Sequence, residues 1–518
     1  MLLPMASALG GLDRHLFSVI QLVLLAAGLL LLWRLWRFTI RPAMKPNEPR
    51  RLPYWIPWHA ISFFRNSKAT MAYARRYFGN TREPFILTIA GQKFYIIMSP
   101  KDMSTVYKNM TSLTFDGFIR DLYTSFGMSK EGVRLMWQAN GFQAGQGTSE
   151  PNSRQVHLGQ GVHRQQLHPG DQLEDITTKY LDQIEQRLLW KAMADVSMTE
   201  PTGKGQVVDL WYWCAAILGN AAMQALFGNV LLEIEPRLLD YSYTFDSESW
   251  KLTFQLPPLL ARRMHSAKDK SREAFIRYFQ LPAEKRPGTC YYLRKVEAKQ
   301  RQAGMNNRDI GIAAQMFFWG ANANPFKVGF WLLSYMLYDP KLLQAIREEV
   351  APSIPSDGMV NIHNLLEHSP LLNAAFNETL RMTSVNSSAR NIEAPVIVGN
   401  KCLETDGKIM MPYRQLHLEE RVFGPETKSF NGYRFLVNQD LGRSPSFKSF
   451  GGGSTYCSGR FIARREISAF VALAVHRYNL LLQDPNQSFP RMDETKPTLG
   501  IMDPVEGHRV VLVVSPRV

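Results

Sequence analysis

The longest apolar stretch of the chain lies near its N-terminus. Residues 16–33 are apolar apart from Ser18, Gln21 and Gly28. Extended to residue 36, the stretch is about long enough to cross a bilayer as a helix, which needs about 20 apolar residues. A cleaved signal peptide is the alternative, but this apolar core is longer than a typical signal core and no small-x-small cleavage site follows it. The pattern therefore predicts a single transmembrane anchor over 16–36.

A basic, proline-rich segment follows over 37–60. Because basic residues beside a span remain in the cytosol, we expect residues 1–15 to form a short non-cytosolic tail. Prolines at this density resist helix formation and stiffen a linker, which predicts a hinge ahead of one large domain over 61–518. Trp55 and Trp58 in the hinge are compatible with either the membrane interface or the edge of the domain core.

Alternating and helical patterns subdivide the large domain. Phe85–Ala90 and Lys93–Met98 alternate around Gly91-Gln92, which predicts a β-hairpin. Gly, Gln, Ser and Asn dominate 141–161, which predicts a mobile loop. Periodicity predicts further helices over 171–193, 207–226 and 371–382, and strands over 394–398, 409–411 and 509–514.

The apolar segment 309–338 is long enough to be taken for a second span. Several polar residues interrupt its middle, where burial in a bilayer would be costly. A long helix through the core of a soluble domain is the better interpretation. Pro325 lacks an N–H and crowds the carbonyl four residues back, so we expect the helix to open near Ala321. Free backbone groups and amide side chains at such a kink suit a ligand or a water molecule.

Composition and charge narrow the function classes. With 45% hydrophobic and 20% charged residues, the chain is globular and not disordered. Its net charge of +15 suits an anionic membrane surface or an acidic protein partner, and no zinc-finger spacing or arginine-rich tail points to nucleic acid. The four cysteines lie far apart, which favours a reducing compartment over a disulfide framework or a zinc site.

One of these cysteines, Cys457, lies in a glycine-rich loop just before a helical segment. A thiolate there would face the helix N-terminus, which lowers the pKa of a cysteine. Gly453 and Gly459 allow a large flat ligand to approach the backbone, and Phe450 offers a ring that shields the sulfur. These are the requirements of a thiolate ligand to haem iron, although a structural cysteine near a helix start is the simpler interpretation.

Two upstream features decide between the interpretations. Glu378 and Arg381 share one face of a predicted helix, and Arg434 lies in an aromatic-rich loop. These residues are followed by the motif Phe-x-x-Gly-x-x-x-Cys-x-Gly over 450–459. The ordered set resembles the C-terminal half of the cytochrome P-450 family. The resemblance implies a mainly α fold with a small β region, haem b bound by Cys457, and a buried charge network of Glu378, Arg381 and Arg434. It covers the whole chain in organisation, and its motifs are specific in the C-terminal half.

Two positions depart from the family pattern. Most members carry an acid and then a threonine at the kink of the central helix, where this chain has Ala323 and Asn324. An asparagine there is similar to the branch containing sterol 7α-hydroxylases and prostacyclin synthase. Thr455 stands where many members place Arg or His against a haem propionate, and His163 with Arg164 is the candidate replacement.

The resemblance implies a membrane-anchored monooxygenase that inserts one oxygen atom from O2 into a terpenoid, sterol or polyketide-like molecule. Its electrons would come from NADPH through a cytochrome P-450 reductase, with cytochrome b5 as an optional second donor. The implied location is the endoplasmic reticulum membrane, with the catalytic domain in the cytosol. Ala323 and Asn324 motivate an alternative, an isomerase, dehydratase or ring-forming enzyme of the same fold that needs neither O2 nor a reductase. A non-catalytic haem sensor or carrier is a third hypothesis.

Overall fold

The computed structural model describes residues 5–55, 58–138, 155–198, 205–355 and 359–517, and helices dominate it. In this part of the chain the helices of eight or more residues are Met5–Leu35, Ser67–Tyr77, Pro100–Lys108, Asp116–Phe126, Lys130–Trp137, Gln155–Leu167, Asp171–Arg187, Leu210–Phe227, Leu238–Glu248, Arg262–Gln280, Tyr291–Gln302, Asn307–Asn322, Pro325–Leu337, Pro340–Val350, Pro370–Thr383 and Arg460–Arg477. The strands are Arg50–Arg51, Phe85–Ile89, Gln92–Ile96, Leu113–Thr114, Gln206–Asp209, Ser387–Ile392, Val396–Val398, Lys401–Leu403, Lys408–Pro412, Tyr478–Leu482 and Val511–Pro516. The predicted fold class, mainly α with a small β region, is confirmed.

The chain divides into two compact units, of which the first comprises Met1–Arg65, Ala69–Thr114 and Ala389–Met411. The predicted hairpin lies here, with Phe85 opposite Ile96 and Ile89 opposite Gln92, so its turn is Ala90-Gly91, one residue before the predicted Gly91-Gln92. Gln92–Ile96 also pairs in parallel with Lys408–Pro412.

The N-terminal helix is longer than predicted. It runs over Met5–Leu35 and continues through a π-helical turn, Trp36–Ile40, into Arg41–Met44. Helix therefore extends into both the segment predicted as a tail, residues 1–15, and the segment predicted as a hinge from residue 37, as far as Met44. Pro42 lies within Arg41–Met44. The stretch Val19–Met44 is long and apolar enough to cross a membrane, and none of it is buried. Trp55 and Trp58 are both exposed, so neither caps the core.

The second unit comprises Asn66–Lys68, Phe115–Ser388 and Pro412–Val518. Its core forms where Leu210–Phe227, Pro325–Leu337 and Arg460–Arg477 pack together, with Trp213 and Trp331 fully buried. Leu210–Phe227 is apolar enough to span a membrane, but 72% of it is buried, so it is a core helix.

Two expectations about this unit need correction. The predicted loop 141–161 lies partly outside the described residues, but its end belongs to the helix Gln155–Leu167. Burial of Val162 and Leu167 stabilises that helix despite its polar sequence. The long central helix divides into Asn307–Asn322 and Pro325–Leu337, so it opens at residues 323–324, slightly beyond the predicted point.

Candidate active site

The loop that carries Cys457 turns back on itself before the helix Arg460–Arg477. The backbone N–H of Cys457 donates to the carbonyl of Phe450 at 2.9 Å, which closes the loop. Gly453 adopts φ +61°, a left-handed conformation that glycine takes at little cost. The loop therefore places the sulfur just ahead of a helix N-terminus.

The thiol of Cys457 has a raised pKa in the protein alone. Burial raises it, and the backbone N–H groups of Gly459 and Arg460 with the charge of Arg460 only partly oppose that effect. The backbone N–H groups at the start of the helix lower the pKa as expected, but desolvation of the thiol has the larger effect, so the net shift is upward. A coordinated metal ion deprotonates a thiol outright, so iron bound at Cys457 would hold the sulfur as a thiolate.

Cys457 lines a cavity of about 930 Å³, hereafter the main cavity. This volume lies at the upper end of the range for small-molecule and cofactor sites. The central helix contributes small residues to the wall, namely Ala313, Ala314, Gly320 and Ala321, and the other walls carry aromatic rings. A soft sulfur donor beside a broad, apolar space with small residues is the arrangement that a flat porphyrin needs, so the residues present fit haem.

His163 and Arg164 both line the main cavity. The His163 ring stacks on Tyr292 at a centroid distance of 4.0 Å, and burial lowers its pKa to about 4. Its Nε2 is buried and has no hydrogen-bond partner in the described ranges. Desolvation lowers the pKa of His168, and the charges of Arg460 and Arg164 lower it further. Both cations therefore lie near His168, in the same part of the cavity wall. An unused polar nitrogen and two cations suit the carboxylates of a haem.

Asn324 and Ala323 differ in their access to the main cavity. Asn324 lines both the main cavity and a smaller neighbouring one, whereas Ala323 lines only the smaller one. The Oδ1 of Asn324 accepts the backbone N–H of Ile501 at 2.9 Å, so its Nδ2 group is left as a donor. The structure therefore brings Asn324, but not Ala323, to the wall that Cys457 shares.

Glu378, Arg381 and Arg434 form one buried ion cluster. Both Glu378 oxygens accept from Arg381, each at 2.7 Å, and Arg434 Nε donates to Oε1 at 3.0 Å. The side chains of Glu378 and Arg381 are fully buried. Arg381 also donates to the carbonyls of His417 and Thr427 at 2.9 and 2.7 Å. The cluster thus ties the helix Pro370–Thr383 to the loop that precedes the cysteine.

Sequence reasoning missed a second buried ion cluster. Lys327 contacts Asp246 at 2.6 Å and Asp503 at 2.8 Å. These residues stand far apart in the sequence and share no motif. The only signal was Lys327 itself, a cation inside an apolar segment.

His417, beside the Glu378 cluster, predicts a pH dependence of stability. Burial and the charges of Arg414 and Arg381 lower its pKa to about 3, against about 6.5 in an unfolded chain. Because only the unfolded chain then gains a proton below pH 6.5, stability falls with pH between about 6.5 and 3. By pH 5 the loss from this residue is about 2 kcal/mol.

His417→Gln tests this dependence, because a glutamine oxygen can still accept the backbone N–H of Lys448 that His417 Nε2 accepts at 3.1 Å. Between pH 7.5 and 5, we expect the free energy of unfolding, measured in urea, to fall by about 2 kcal/mol less in the variant than in the wild type. Equal acid sensitivity in both proteins would contradict the assignment.

Comparisons with known proteins identify the family. The family model described as Cytochrome P-450 matches residues 221–510. Cytochrome P-450 monooxygenase poxD from Penicillium oxalicum is 26% identical over 87% of this chain and 90% of its own length. The 7-alpha-hydroxycholest-4-en-3-one 12-alpha-hydroxylase of Oryctolagus cuniculus is 23% identical over 90% of this chain and 93% of its own length. The chain belongs to the cytochrome P-450 family, and it is an oxidoreductase of the monooxygenase class.

Proposed function

We propose that this protein inserts one oxygen atom from O2 into a hydrophobic, polycyclic small molecule of the terpenoid, sterol or polyketide-like class. The observation that carries the proposal is Cys457 in the wall of a large, mainly apolar cavity. Haem bound through that sulfur supplies the oxygen chemistry, and the protein supplies binding, orientation and exclusion of water.

The residues of the main cavity divide into two roles in this proposal. Cys457 would bind the iron, and Arg164, Arg460 and the free Nε2 of His163 would hold the haem carboxylates. Charge-assisted hydrogen bonds of this kind are stronger than neutral ones, so they would also fix the orientation of the ring.

The remaining walls suit a rigid apolar substrate. Phe115, Tyr123 and Phe317 line the cavity together with Leu226 and Ile501. Such walls bind by apolar contact, and a few polar groups set the orientation. The rabbit relative is named for a sterol substrate, which supports a polycyclic skeleton of that size.

We further propose electron supply from NADPH through a reductase, optionally with cytochrome b5, at the endoplasmic reticulum membrane with the catalytic domain in the cytosol. Arg460, Arg464 and Arg465 follow the cysteine, and their contacts within the chain limit what they contribute to the docking of an acidic reductase. Arg465 is buried and bonds Thr177 and Glu174, both at 2.8 Å, and Arg464 donates to Asn373 at 2.8 Å. Arg460 lines the main cavity and donates to the carbonyl of Cys457 at 2.9 Å, so it too is engaged within the domain.

The cofactor requirement tests the function. Extracts of cells that express the wild type or Cys457→Ala are compared to find the metabolite that depends on the cysteine. Purified protein is then assayed for it with NADPH, reductase and O2, and with each omitted in turn. We expect product only when all three are present.

The rival is an isomerase, dehydratase or ring-forming enzyme of the same fold. Ala323 and Asn324 favour it, because an alanine and an amide stand where most members carry the acid and the alcohol that serve oxygen reduction. Product that forms at an undiminished rate without NADPH and reductase would establish the rival. Haem spectra without any product would instead support the sensor or carrier hypothesis.

A further inference from the structure

The N-terminal helix of the first unit continues from its apolar part to Met44 without a break, and we call it the anchor helix. Its apolar side chains are largely exposed, for example Leu24 at 65% and Leu32 at 64%. Trp33, Arg34 and Phe38 are only half-exposed. One side of the anchor helix is therefore covered from Trp33 onwards.

Three aromatic rings provide this cover. The ring centroid of Tyr54 lies 6.0 Å from that of Trp33 and 5.1 Å from that of Phe38, and the latter two are 5.7 Å apart. All three distances fall within the range of about 4.5–7 Å in which aromatic pairs attract each other. Tyr54 is only 6% exposed. We call Trp33, Phe38 and Tyr54 the aromatic clasp.

Arg34 adds a polar contact at the same level of the helix. Its Nη1 donates to the carbonyl of Tyr54 at 2.6 Å, and its guanidinium lies 4.3 Å from the centre of the Trp55 ring. A charged guanidinium is costly inside the hydrocarbon of a bilayer. At about 1.5 Å per residue, residues 16–33 rise about 27 Å, close to the hydrocarbon thickness of about 30 Å. The helix can therefore cross the bilayer before it reaches the clasp.

The segment that carries Tyr54 is fastened to the sheet of the same unit. The backbone N–H of Leu52 donates to the carbonyl of Ile86 at 3.0 Å. The His59 ring packs against the Tyr54 ring at a centroid distance of 5.3 Å, and His59 Nδ1 accepts the backbone N–H of Thr88 at 3.3 Å. Ile86 and Thr88 belong to the first strand of the hairpin. The clasp is thus joined to the sheet through residues on both sides of Tyr54.

An ion pair network fastens the far end of the anchor helix. Glu48 pairs with Arg41, in the last turn of the helix, and with Arg51, in the strand Arg50–Arg51, both at 3.0 Å. Burial would raise the pKa of Glu48, but the two arginines outweigh it and lower the pKa. Glu48 therefore stays charged near neutral pH and connects the helix to the sheet.

We propose that the aromatic clasp holds the anchor helix rigidly, so that the first unit meets the membrane surface at one fixed angle to the helix. The part of the helix in lipid would end at Trp33. Trp36 and Trp55, each 52% exposed, would then lie in the headgroup layer, where tryptophan is favoured. Residues 45–59 would hold the helix in place and would not flex as a hinge. This inference concerns attachment to the membrane and goes beyond the proposed function.

Distances between two spin labels test the rigidity. The labels are attached to an encoded ketone amino acid, which leaves the native cysteines unmodified, in the full-length holoprotein in phosphatidylcholine nanodiscs. One label replaces Leu29, 59% exposed on the anchor helix, and the other replaces Lys101 in the helix Pro100–Lys108 of the same unit. Phe38→Ala and Tyr54→Ala disrupt the clasp. Tyr77→Ala is the matched control, because Tyr77 is an aromatic residue of the same unit that is 52% exposed.

We expect one narrow distance distribution in the wild type and in Tyr77→Ala. Both clasp variants should broaden the distribution at least about two-fold, because a helix released from these contacts moves on a flexible linker. Phe38→Ala changes only the helix side of the clasp, so it decides the test if Tyr54→Ala yields no holoprotein.

The depth of single labels tests the membrane boundary. A label at Leu29 should be relaxed most strongly by dissolved oxygen, which concentrates in lipid. A label at Met44, which is 68% exposed beyond the clasp, should be relaxed most strongly by a water-soluble nickel chelate.

Three outcomes would overturn the proposal. A wild-type distribution as broad as that of Phe38→Ala would show that the helix is a flexible tether. A distribution that stays narrow in both clasp variants would show that the rings do not hold the helix. A Met44 label relaxed by oxygen as strongly as the Leu29 label would place the clasp inside the lipid. None of these readouts uses product formation, so failure of the proposed function would leave them unchanged.

Discussion

Replacing Cys457 by alanine should abolish the ferrous–CO absorption band typical of thiolate-bound haem. Cys457 supplies the only thiol among the described residues that line the main cavity. No group of three or more His, Cys, Asp or Glu side chains in the described ranges could hold a metal ion instead. Without the sulfur, haem would lose its iron–protein bond, so we expect little retained haem and no turnover.

Spectra of the purified variants measure this effect. Cys290→Ala is the control, because Cys290 is a buried cysteine of the same unit that does not line the main cavity. It should keep the thiolate band. Cys457→His should retain some haem with the band moved to the position of a nitrogen ligand. A thiolate band in Cys457→Ala would contradict the assignment of the ligand.

The second large effect concerns stability: Glu378→Ala should destabilise the protein by about 3–5 kcal/mol. Glu378 is 0% exposed and neutralises Arg381, which is also 0% exposed, while Arg434 donates to the same carboxylate. Removal of the carboxylate leaves buried guanidinium groups without a counter-charge, which costs far more than the loss of one contact. We therefore expect little soluble, haem-loaded protein.

The chain contains a matched control for this substitution. Glu131 and Arg134 have the same three-residue spacing and also form an ion pair, but both side chains are more than half exposed. Glu131→Ala should leave the urea unfolding midpoint and the haem content almost unchanged, because water replaces the lost partner. Similar unfolding midpoints for Glu131→Ala and Glu378→Ala would show that the buried cluster contributes little to stability.

These two pairs show where prediction from sequence ends. Glu-x-x-Arg places both side chains on one helix face in either case, and the spacing alone cannot distinguish a buried pair from an exposed one. Burial is decided by contacts with distant segments, here the carbonyls of His417 and Thr427. Only the fixed order of Glu378, Arg381, Arg434 and the cysteine loop indicated which pair has a special role.

Local chemistry explains what could be predicted. Pro325 has no N–H wherever the helix lies, so the break in the central helix follows from one residue. The hairpin was also predictable from local information. An alternation with a period of two can be recognised from neighbouring residues alone. The extent of Gln155–Leu167 was not predictable in this way, because buried contacts of Val162 and Leu167 outweigh its helix-weakening composition.

The sequence by itself determined the family, the cysteine that would hold the iron, and the position of the helix break, because each depends on residue type and short-range spacing. The tertiary structure alone decided the raised pKa of the Cys457 thiol, the exclusion of Ala323 from the main cavity that Asn324 lines, and the cluster of Asp246, Lys327 and Asp503. Desolvation and ion pairing depend on which distant side chains surround a group, and that information exists only once the chain has folded.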